Sequence, residues 1–475
     1  RHYSEYKETS FGAAFAGAEA AVRPALPADA GQLSLIATHA LTLDGTFDFT
    51  IGQGGRGGQA DIAAQSIAVI ADGAAPVEGY ALSIGAGALN AIGAQSLLLG
   101  GTRALIDTDA DNVADSVKLA GVSESILIAN DETSALIAPE ILLLTGSGQT
   151  EGGDSRIRLA DGAVIRAEGK YSGDAQPLVI GTISTEDIRT GTGQGALLVL
   201  SNAANDLAVN RHDLGNAAGT LAGRIGIGSG VSLVAGGAIL FDAVAGADIP
   251  ADALITARSL ELAATAIHFG AAPSDASGFI ANAGTLSRLS QAERLVLRSY
   301  GSIDLHDGTD LRSYTAALVL DAAALRQQGT GTARIEADSL VLRNTSGTLA
   351  EGAGPAANAG GLDLVAERLT LGDGDSRILG FDEARLGARE THFNGIGSLT
   401  VGSAASASDL LLTTPFISAA GGTDAAVTAT GAMRVVRGGQ AALEDRDERV
   451  GSAGLLTFAG NTVDFGSDVR LPAGS

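Results

Sequence analysis

The sequence predicts an all-β protein, a parallel β-helix (β-solenoid) with loop insertions between its strands. Short runs alternate apolar and polar residues, as in Leu33, Leu35 and Ala37, and a period of two places such side chains on one face of a strand. Glycine-rich and Asp-Gly turns separate these runs. The same strand phrase also returns many times in the same orientation, which is typical of solenoid proteins.

The recurring phrase reads Ala-apolar-x-Ala-x-x-apolar-x-apolar, with slips of one residue. It occurs as ADIAAQSIAV from Ala60, ALNAIGAQSLLL from Ala88, ALIAPEILLL from Ala135, ALITARSLEL from Ala253 and ARIEADSLVL from Ala333. A shorter version, LDLVAERLTLGDG from Leu362, mirrors LSLIATHALTLDG from Leu33. Tight hairpin dipeptides do not regularly join the strands, which disfavours a β-sandwich.

The phrases lie at unequal distances, so we expect loops of different length between similar strands. These expected insertions are residues 102–116, 170–177, 202–218, 271–294 and 345–359. Long loops on a rigid scaffold often carry function, although some are only tolerated surface insertions.

Two regions differ in composition. Residues 1–30 are rich in alanine and form an N-terminal lead-in, for which we expect a short helix over residues 10–22, or a flexible tail at its start. Residues 31–475 follow the strand pattern and are predicted to form the β-helix shaft. The last strands end without a polar cap, so we expect the shaft to continue beyond Ser475.

Composition limits the possible functions. The chain has 54 acidic and 30 basic residues and a formal net charge of −24, which disfavours nucleic acid as a partner. It has no cysteine, which excludes disulfides and thiolate metal sites. It also has no tryptophan and only 4% aromatic residues, so a core of small and branched aliphatic side chains is expected.

Several segments resemble one family. LPADAGQLSLIATHALTLDGT, GGRGGQADIAAQSIAVI, AQSLLLGGTR and LIAPEILLLTGSG resemble the central shaft region of filamentous-haemagglutinin-like exoproteins, which Gram-negative bacteria export by two-partner secretion. The likeness covers most of residues 25–200. It implies a right-handed parallel β-helix, secretion to the cell surface, an outer-membrane transporter as partner, and a shaft without a catalytic centre. The Asn-Pro motifs of the family's secretion domain and an Arg-Gly-Asp signal are both absent.

Three functions from different classes follow. The first is a non-enzymatic, secreted shaft of a surface adhesin or filament, with a receptor or glycan on a host or neighbouring cell as its partner. The second is a structural surface fibre that self-associates. The third is a carbohydrate-active β-helical enzyme, which needs paired carboxylates on one face. The lack of tryptophan, a common sugar platform, disfavours the enzyme.

One motif has the oxygen-rich pattern of a calcium loop. DTDADNVAD places oxygen ligands at alternate positions, and Ca²⁺ takes 6–8 oxygens. The candidate ligands are Asp107, Asp109, Asp111, Asn112 and Asp115. The pattern resembles calcium loops of the thrombospondin-repeat and EF-hand types, but it departs from the EF-hand loop at Asn112, where glycine is expected. The alternative is a solvated acidic loop.

Two further motifs admit a functional and a structural interpretation. In SIDLHDGTD, Asp304 and His306 point to the same side of a strand, as two metal ligands would, although outward polar residues beside a turn are commoner. GQGGRGG from Gly52 lacks the Gly-Lys-Ser/Thr ending of a phosphate loop, so we expect a corner.

Overall fold

The structure is a computed structural model. It describes residues 28–108, 114–146, 156–173, 175–181, 193–205, 207–212, 214, 222–274, 276–281, 285, 286, 289, 291–312, 316–346, 358–439, 441, 443 and 454–471. The helix expected over residues 10–22 lies outside this part of the chain.

The described residues are almost entirely β-structure, which confirms the all-β prediction. The first twenty strands are β1 Gln32–Ile36, β2 Gln59–Ala63, β3 Ser66–Ile70, β4 Leu82–Gly85, β5 Ser96–Leu99, β6 Gly101–Ile106, β7 Ser116–Gly121, β8 Ser125–Ala129, β9 Leu136–Ala138, β10 Glu140–Leu144, β11 Arg156–Leu159, β12 Val164–Ala167, β13 Leu178–Ile180, β14 Ala196–Ser201, β15 Val209–Arg211, β16 Arg224–Ile227, β17 Ser232–Ala235, β18 Ala238–Ala243, β19 Ala247–Asp248 and β20 Leu254–Thr256.

The later strands are longer at first and then shorten. They are β21 Ser259–Phe269, β22 Phe279–Ala281, β23 Arg294–Leu305, β24 Asp310–Arg312, β25 Ala317–Gln327, β26 Ala333–Arg343, β27 Gly361–Leu371, β28 Gly374–Leu379, β29 Glu383–Phe393, β30 Ile396–Val401, β31 Asp409–Thr413, β32 Phe416–Ala419, β33 Asp424–Ala429, β34 Ala432–Val436, β35 Leu455–Ala459, β36 Thr462–Phe465 and β37 Asp468–Arg470. Helix α1, Ala86–Asn90, and a 3₁₀ turn, Glu132–Ser134, complete the described elements.

The strands form four sheets. The main sheet has 23 strands, namely β1, β2, β5, β10, β14, β18 and β21 to β37. The second sheet contains β3, β4, β8, β11, β16 and β19, and the third contains β9, β12, β17 and β20. Successive strands visit the second, third and main sheets in the same order, as in β8–β9–β10, β16–β17–β18 and β19–β20–β21. An outer sheet contains β6, β7, β13 and β15.

Most neighbouring strands run parallel, and related phrases lie opposite each other. Ala333 in β26 faces Leu362 in β27, and Leu362 faces Ala384 in β29. The two phrases that begin at Ala333 and Leu362 therefore pair residue by residue. Their apolar side chains stack on one face because both phrases have the same period of two.

The phrase does not mark a fixed position in the chain's path through the sheets. The phrase from Ala60 runs from the main sheet (β2) into the second sheet (β3), whereas the phrase from Ala135 runs from the third sheet (β9) into the main sheet (β10). The phrase from Ala88 begins within α1, so the strand expected there is wrong and only its SLLL end forms β5. The phrases from Ala60 and Ala135 are therefore strand–corner–strand units at different corners, whereas the phrase from Ala333 lies within the single strand β26.

Strand β14 departs from the parallel order. It runs antiparallel to both β10 and β18, with Leu198 opposite Leu143 and Phe241. Because the chain enters β14 after passing through β13 in the outer sheet, it crosses the main sheet in the opposite direction. The inward and outward faces of β14 still match those of its neighbours.

The glycine-rich segment from Gly52 is a corner, as expected, and neighbouring residues approach several of its glycines closely. Gly54 has a φ of +80° in the turn. A Cβ atom on Gly58 would lie 2.0 Å from the Phe49 ring, and one on Gly57 would lie 2.3 Å from Gln95. These glycines are needed because neighbouring atoms approach the backbone closely.

Two apolar clusters hold the sheets together. The larger one lies inside the main, second and third sheets and contains the inward residues of each strand, such as Ile62, Leu99 and Leu143. The second cluster lies between the main and outer sheets and contains Leu98, Leu142, Leu144, Leu197, Val199, Leu240, Val117, Leu119, Leu178, Ile180 and Val209, with Leu207 and Ala238. Strands β5, β10, β14 and β18 are thus buried on both faces, which explains their almost continuous apolar sequences.

Candidate functional site

Three of the expected insertions build the outer sheet. Residues 102–116 lie in the β6–β7 hairpin, residues 170–177 lead into β13, and the described part of residues 202–218 contains β15. We expected loops here. The described residues of 170–177 are irregular, as expected, whereas the other two segments contain strands β6 and β15. Their apolar residues, such as Leu207 and Val209, cover a second apolar face of the main sheet, which is a structural role.

Two of the candidate calcium ligands adjoin the hairpin strands, since Asp107 follows the end of β6 and Asp115 precedes β7. Asp109, Asp111 and Asn112 are outside the described residues. Asp115 accepts hydrogen bonds from the Thr108 hydroxyl at 2.5 Å and from the Thr108 backbone N–H at 3.2 and 3.3 Å. The hydroxyl bond is the main cause that lowers the pKa of Asp115. Asp115 therefore helps to close the hairpin, and calcium binding by the loop stays a hypothesis.

A row of buried polar groups lies on the outer face of the main sheet. Arg103 Nε lies 2.6 Å from Asp61 Oδ1, and both side chains are almost fully buried. Arg103 also donates to Ser96 Oγ, and Ser96 donates to Glu140 Oε2 at 2.5 Å. Ser201 donates to the other oxygen of Glu140 at 3.1 Å. Burial raises the pKa of Glu140, while its hydrogen bond from Ser96 and the charge of Arg103 oppose that rise.

A buried ion pair joins the outer sheet to the main sheet. Arg211 at the end of β15 donates from Nε to both carboxylate oxygens of Asp242 in β18, at 3.0 and 2.9 Å. Tyr300 donates its hydroxyl to Asp242 Oδ2 at 2.8 Å. Burial is the largest single effect on Arg211 and disfavours its charged form, but the Asp242 carboxylate and Tyr300 together outweigh burial and raise the pKa of Arg211. Burial and Asp242 together raise the pKa of Tyr300.

A second buried charge group continues along the same face. Arg298 in β23 lies 2.9 Å from Glu261 Oε1 and 3.3 Å from Asp321 Oδ2, and Asp321 also binds Arg343 at 2.9 Å. Arg298 Nη1 donates to the Val209 carbonyl of β15 at 2.8 Å, so this group also holds the outer sheet.

Glu261 is the member of this group whose carboxylate is incompletely hydrogen-bonded. Among the described residues, Oε1 accepts no hydrogen bond, although Arg298 Nη1 is close, because the N–H does not point at it. Burial is the largest effect and raises the pKa of Glu261 to about 7, against the opposing charge of Arg298. The nearby carboxylates of Asp242 and Asp321 act in the same direction as burial.

These buried charges were missed by the sequence interpretation. The available signal was an acidic residue at an outward position of a strongly apolar strand, as for Asp61, Glu140 and Asp242. An acid at such a position is normally exposed, and only a covering layer buries it. No local pattern shows that layer.

The insertion at residues 271–294 borders a cleft of about 760 Å³. The opposite wall comes from β16, β19 and the segment after β19. Its lining residues are Arg224, Ile227, Ala247, Asp248, Ile249, Pro250, Ala272, Ser274, Ala276, Ser277, Gly278, Phe279, Ile280 and Thr285. Arg224 Nη1 lies 3.6 Å from Asp248 Oδ2, with the arginine side chain 38% and the aspartate side chain 74% exposed. The lining of the cleft therefore includes one cation and one anion that solvent reaches.

A histidine pair adjoins the cleft. His268 Nε2 donates to the carbonyl of Ser277, which lines the cleft, at 2.9 Å. Its Nδ1 lies 3.2 Å from His306 Nε2 and 3.7 Å from Asp304 Oδ2. We expected Asp304 and His306 on the same side of one strand, but β23 ends at Leu305 and His306 lies in the turn that follows. The side chains of both residues nevertheless approach His268 Nδ1.

The other two acids of this motif have structural partners. Asp307 accepts the backbone N–H groups of Thr330 and Gly331 at 2.8 and 2.9 Å, and Asp310 binds Arg312. They therefore stabilise the neighbouring backbone and strand, away from the histidine pair.

No protein-family model, curated protein or solved structure matches the chain. In the part of the chain that the structure describes, no helix is long and apolar enough to cross a membrane. The site geometry and the sheet architecture are therefore the basis for the functional proposal.

Proposed function

We propose that the chain is the non-enzymatic shaft of a secreted surface adhesin or filament, wound as a right-handed parallel β-helix. The observation that carries the proposal is the parallel ladder in which related phrases lie opposite each other, as Ala333, Leu362 and Ala384 do. The second, third and main sheets form the three faces of the coil. Right-handed crossovers are the rule for parallel strands.

Charge pairing supports a structural role for the buried acids. Asp61, Asp242 and Asp321 each bind an arginine, and Glu140 binds Ser96 and Ser201. A glycosidase needs a carboxylic acid and a second carboxylate free to reach the sugar. The carbohydrate-active enzyme is therefore the weakest of the three alternatives.

The expected partners follow from the resemblance. An outer-membrane two-partner transporter would export the chain to the cell surface of a Gram-negative bacterium. A receptor or glycan on a host or neighbouring cell would bind the exposed face. The cleft beside residues 271–294 is the candidate contact, because it is the large concave surface bordered by an insertion.

A self-associating fibre is the second candidate function. The last described strands expose large apolar side chains, with Leu455 58%, Val463 46% and Phe465 40% exposed. Exposed apolar strand edges are common sites of association between chains. An adhesin and a fibre would have the same shaft and differ in whether the chains associate. The size of the particles in solution therefore distinguishes the two functions.

The first experiment is small-angle X-ray scattering of the purified chain over a concentration series. A compact globule of this length has a radius of gyration of about 23 Å. A clearly larger, concentration-independent value with a rod-like profile supports the monomeric shaft, and growth with concentration supports the fibre. A globular value contradicts both.

The second experiment measures binding and turnover. Saturable binding of the labelled chain to cells or to a glycan array supports the adhesin. Release of reducing ends from a polysaccharide panel contradicts the non-enzymatic proposal.

The neighbouring gene tests the export route. If the chain is exported by two-partner secretion, we expect that gene to encode an outer-membrane transporter of the two-partner kind.

A further inference from the structure

The contact between His268 and His306 has the geometry of a metal-ligand pair. The Ser277 carbonyl can only accept a hydrogen bond, so His268 Nε2 carries the proton. In the neutral ring, the lone pair of His268 is then on Nδ1, which faces His306 Nε2 at 3.2 Å. A backbone carbonyl that holds the far nitrogen of a histidine is the usual way in which proteins orient a metal-binding imidazole.

The spacing fits the first coordination sphere of a transition metal. Zn–N bonds of roughly 2.0–2.1 Å at a tetrahedral angle separate the two nitrogens by about 3.3 Å. His268 Nδ1 and His306 Nε2 already stand at nearly this distance. The rings are tilted by 44° with centroids 5.4 Å apart, so they do not stack and the contact between them runs through the two nitrogens.

The backbone around the pair is held in place. The His306 N–H donates to the Phe269 carbonyl at 2.9 Å, and the Thr309 hydroxyl donates to the His306 carbonyl at 2.7 Å. His268 lies within β21, opposite Asp304 of β23. Because the two histidines lie on a strand and on an adjoining turn that are already ordered, their side chains lose little conformational entropy when they bind an ion.

A carboxylate that is paired with an arginine lies beside the two histidines. Asp304 Oδ2 lies 3.7 Å from His268 Nδ1, and Arg326 and Ser302 hold the Asp304 carboxylate in place.

We propose that His268 Nδ1 and His306 Nε2 form a two-imidazole site for a divalent transition-metal ion such as Zn²⁺ or Cu²⁺. The described residues contain no group of three or more His, Asp and Glu side chains that could hold a metal ion. The site therefore has two protein ligands, and solvent occupies the other positions. Imidazole suits Zn²⁺, Cu²⁺ and Ni²⁺, whereas Ca²⁺ prefers oxygen.

A bound ion would join strand β21 to the turn after β23, which belong to successive strands of the main sheet. It would also fix the Ser277 carbonyl through His268, and with it the insertion that borders the cleft. When the metal binds, the proton that His306 Nε2 shares with His268 Nδ1 is released or moves to the other nitrogen of His306. The inference does not depend on the proposed adhesin role.

The test is calorimetric titration of the full chain with Zn²⁺ in a buffer that contains excess Ca²⁺, so that acidic loops do not contribute. We expect one Zn²⁺ per chain, with binding at least tenfold weaker in His306→Asn and in His268→Gln. The matched control is His39→Asn, a single exposed histidine, which should bind as the wild type does.

His306 is only partly buried, so His306→Asn should fold, as circular dichroism can verify. With Cu²⁺, electron paramagnetic resonance should show coupling to imidazole nitrogens in the wild type and its loss in His306→Asn. Unchanged Zn²⁺ affinity in folded His306→Asn overturns the proposal, as does a wild type that binds none of Zn²⁺, Cu²⁺ and Ni²⁺.

Discussion

Arg211 of the outer sheet and Asp242 of the main sheet form an ion pair in which neither side chain is exposed to solvent. Arg211 also donates to the Gly193 carbonyl at 2.7 Å and to the Asp242 carbonyl at 3.3 Å. The pair thus links β15 to the main sheet. It lies where the apolar layer between the two sheets ends and the buried charges begin. Its integrity should decide whether the outer sheet stays in place.

Removal of one partner should be strongly destabilising. Asp242→Ala leaves the Arg211 charge buried without its carboxylate, and such a change costs about 3–5 kcal/mol. Urea denaturation should show a lower midpoint, and limited proteolysis should cut near β15 first. The exposed pair Arg437–Asp468 is the control, since Arg437→Ala should change stability by less than about 0.5 kcal/mol. Equal effects of the two substitutions would contradict the role of the buried pair.

Glu261 should make stability depend on pH. Its pKa in the folded chain is about 7, above the usual value of 4.5, so the folded state binds the proton more tightly than the unfolded state. Its contribution is fully present below pH 4.5 and is lost as the pH rises through 7. The loss amounts to roughly 3 kcal/mol.

The measurement compares the wild type with Glu261→Gln across this pH range. The stability of the wild type relative to the variant should fall as the pH rises. Parallel pH profiles of the two proteins would show that Glu261 does not have a raised pKa.

The apolar layer under the outer sheet should contribute as an ordinary core does. Leu119 in β7 is 2% exposed and packs in the second apolar cluster, so Leu119→Ala should cost about 2–5 kcal/mol. Leu105 on the paired strand β6 is 59% exposed, so Leu105→Ala should have almost no effect. Thermal melting of both variants is the measurement, and a silent Leu119→Ala would mean that the outer sheet does not pack as described.

One glycine should be irreplaceable because of its conformation and its surroundings. Gly195, just before β14, has a φ of +110°, and an added Cβ would lie 2.0 Å from the Thr145 carbonyl oxygen. Gly195→Ala should therefore destabilise the chain by more than about 1 kcal/mol. Gly226 in β16 has open space around its Cα, so Gly226→Ala is the control and should be neutral. Equal denaturation midpoints for the two variants would argue against the corner before β14.

The calcium hypothesis makes a simple prediction. If Asp107, Asp109, Asp111, Asn112 and Asp115 bind Ca²⁺, calcium should raise the melting temperature and a chelator should reverse the rise. Asp109→Ala should abolish this shift. A melting temperature that neither calcium nor chelator moves assigns the segment to the solvated acidic loop.

Much of the strand content could be predicted because alternation is a local property. The phrases at Ala60, Ala135 and Ala333 form strands with their apolar residues inward, as expected. The phrase at Ala88 differs because its first residues form α1, whose buried Ala86 and Leu89 satisfy a helical pattern as well as a strand pattern. Short apolar segments cannot distinguish the two by period alone.

The candidate site was only partly predictable for a related reason. Asp304 and His306 were found because they are two residues apart in the sequence, although His306 lies just after the end of β23. Their partner His268 lies on a neighbouring strand, 38 positions from His306, so no local spacing connects them.

The sequence by itself determined most of the strands and which of their apolar side chains face the interior, because period-two alternation acts over a few residues. Only the tertiary structure decided which strands become neighbours, since that depends on how the unequal insertions fold. It reversed β14, placed three insertions as an outer sheet, and buried Asp242 against Arg211. Those pairings arise between segments far apart in the chain, where burial and charge compensation, rather than local propensity, decide the outcome.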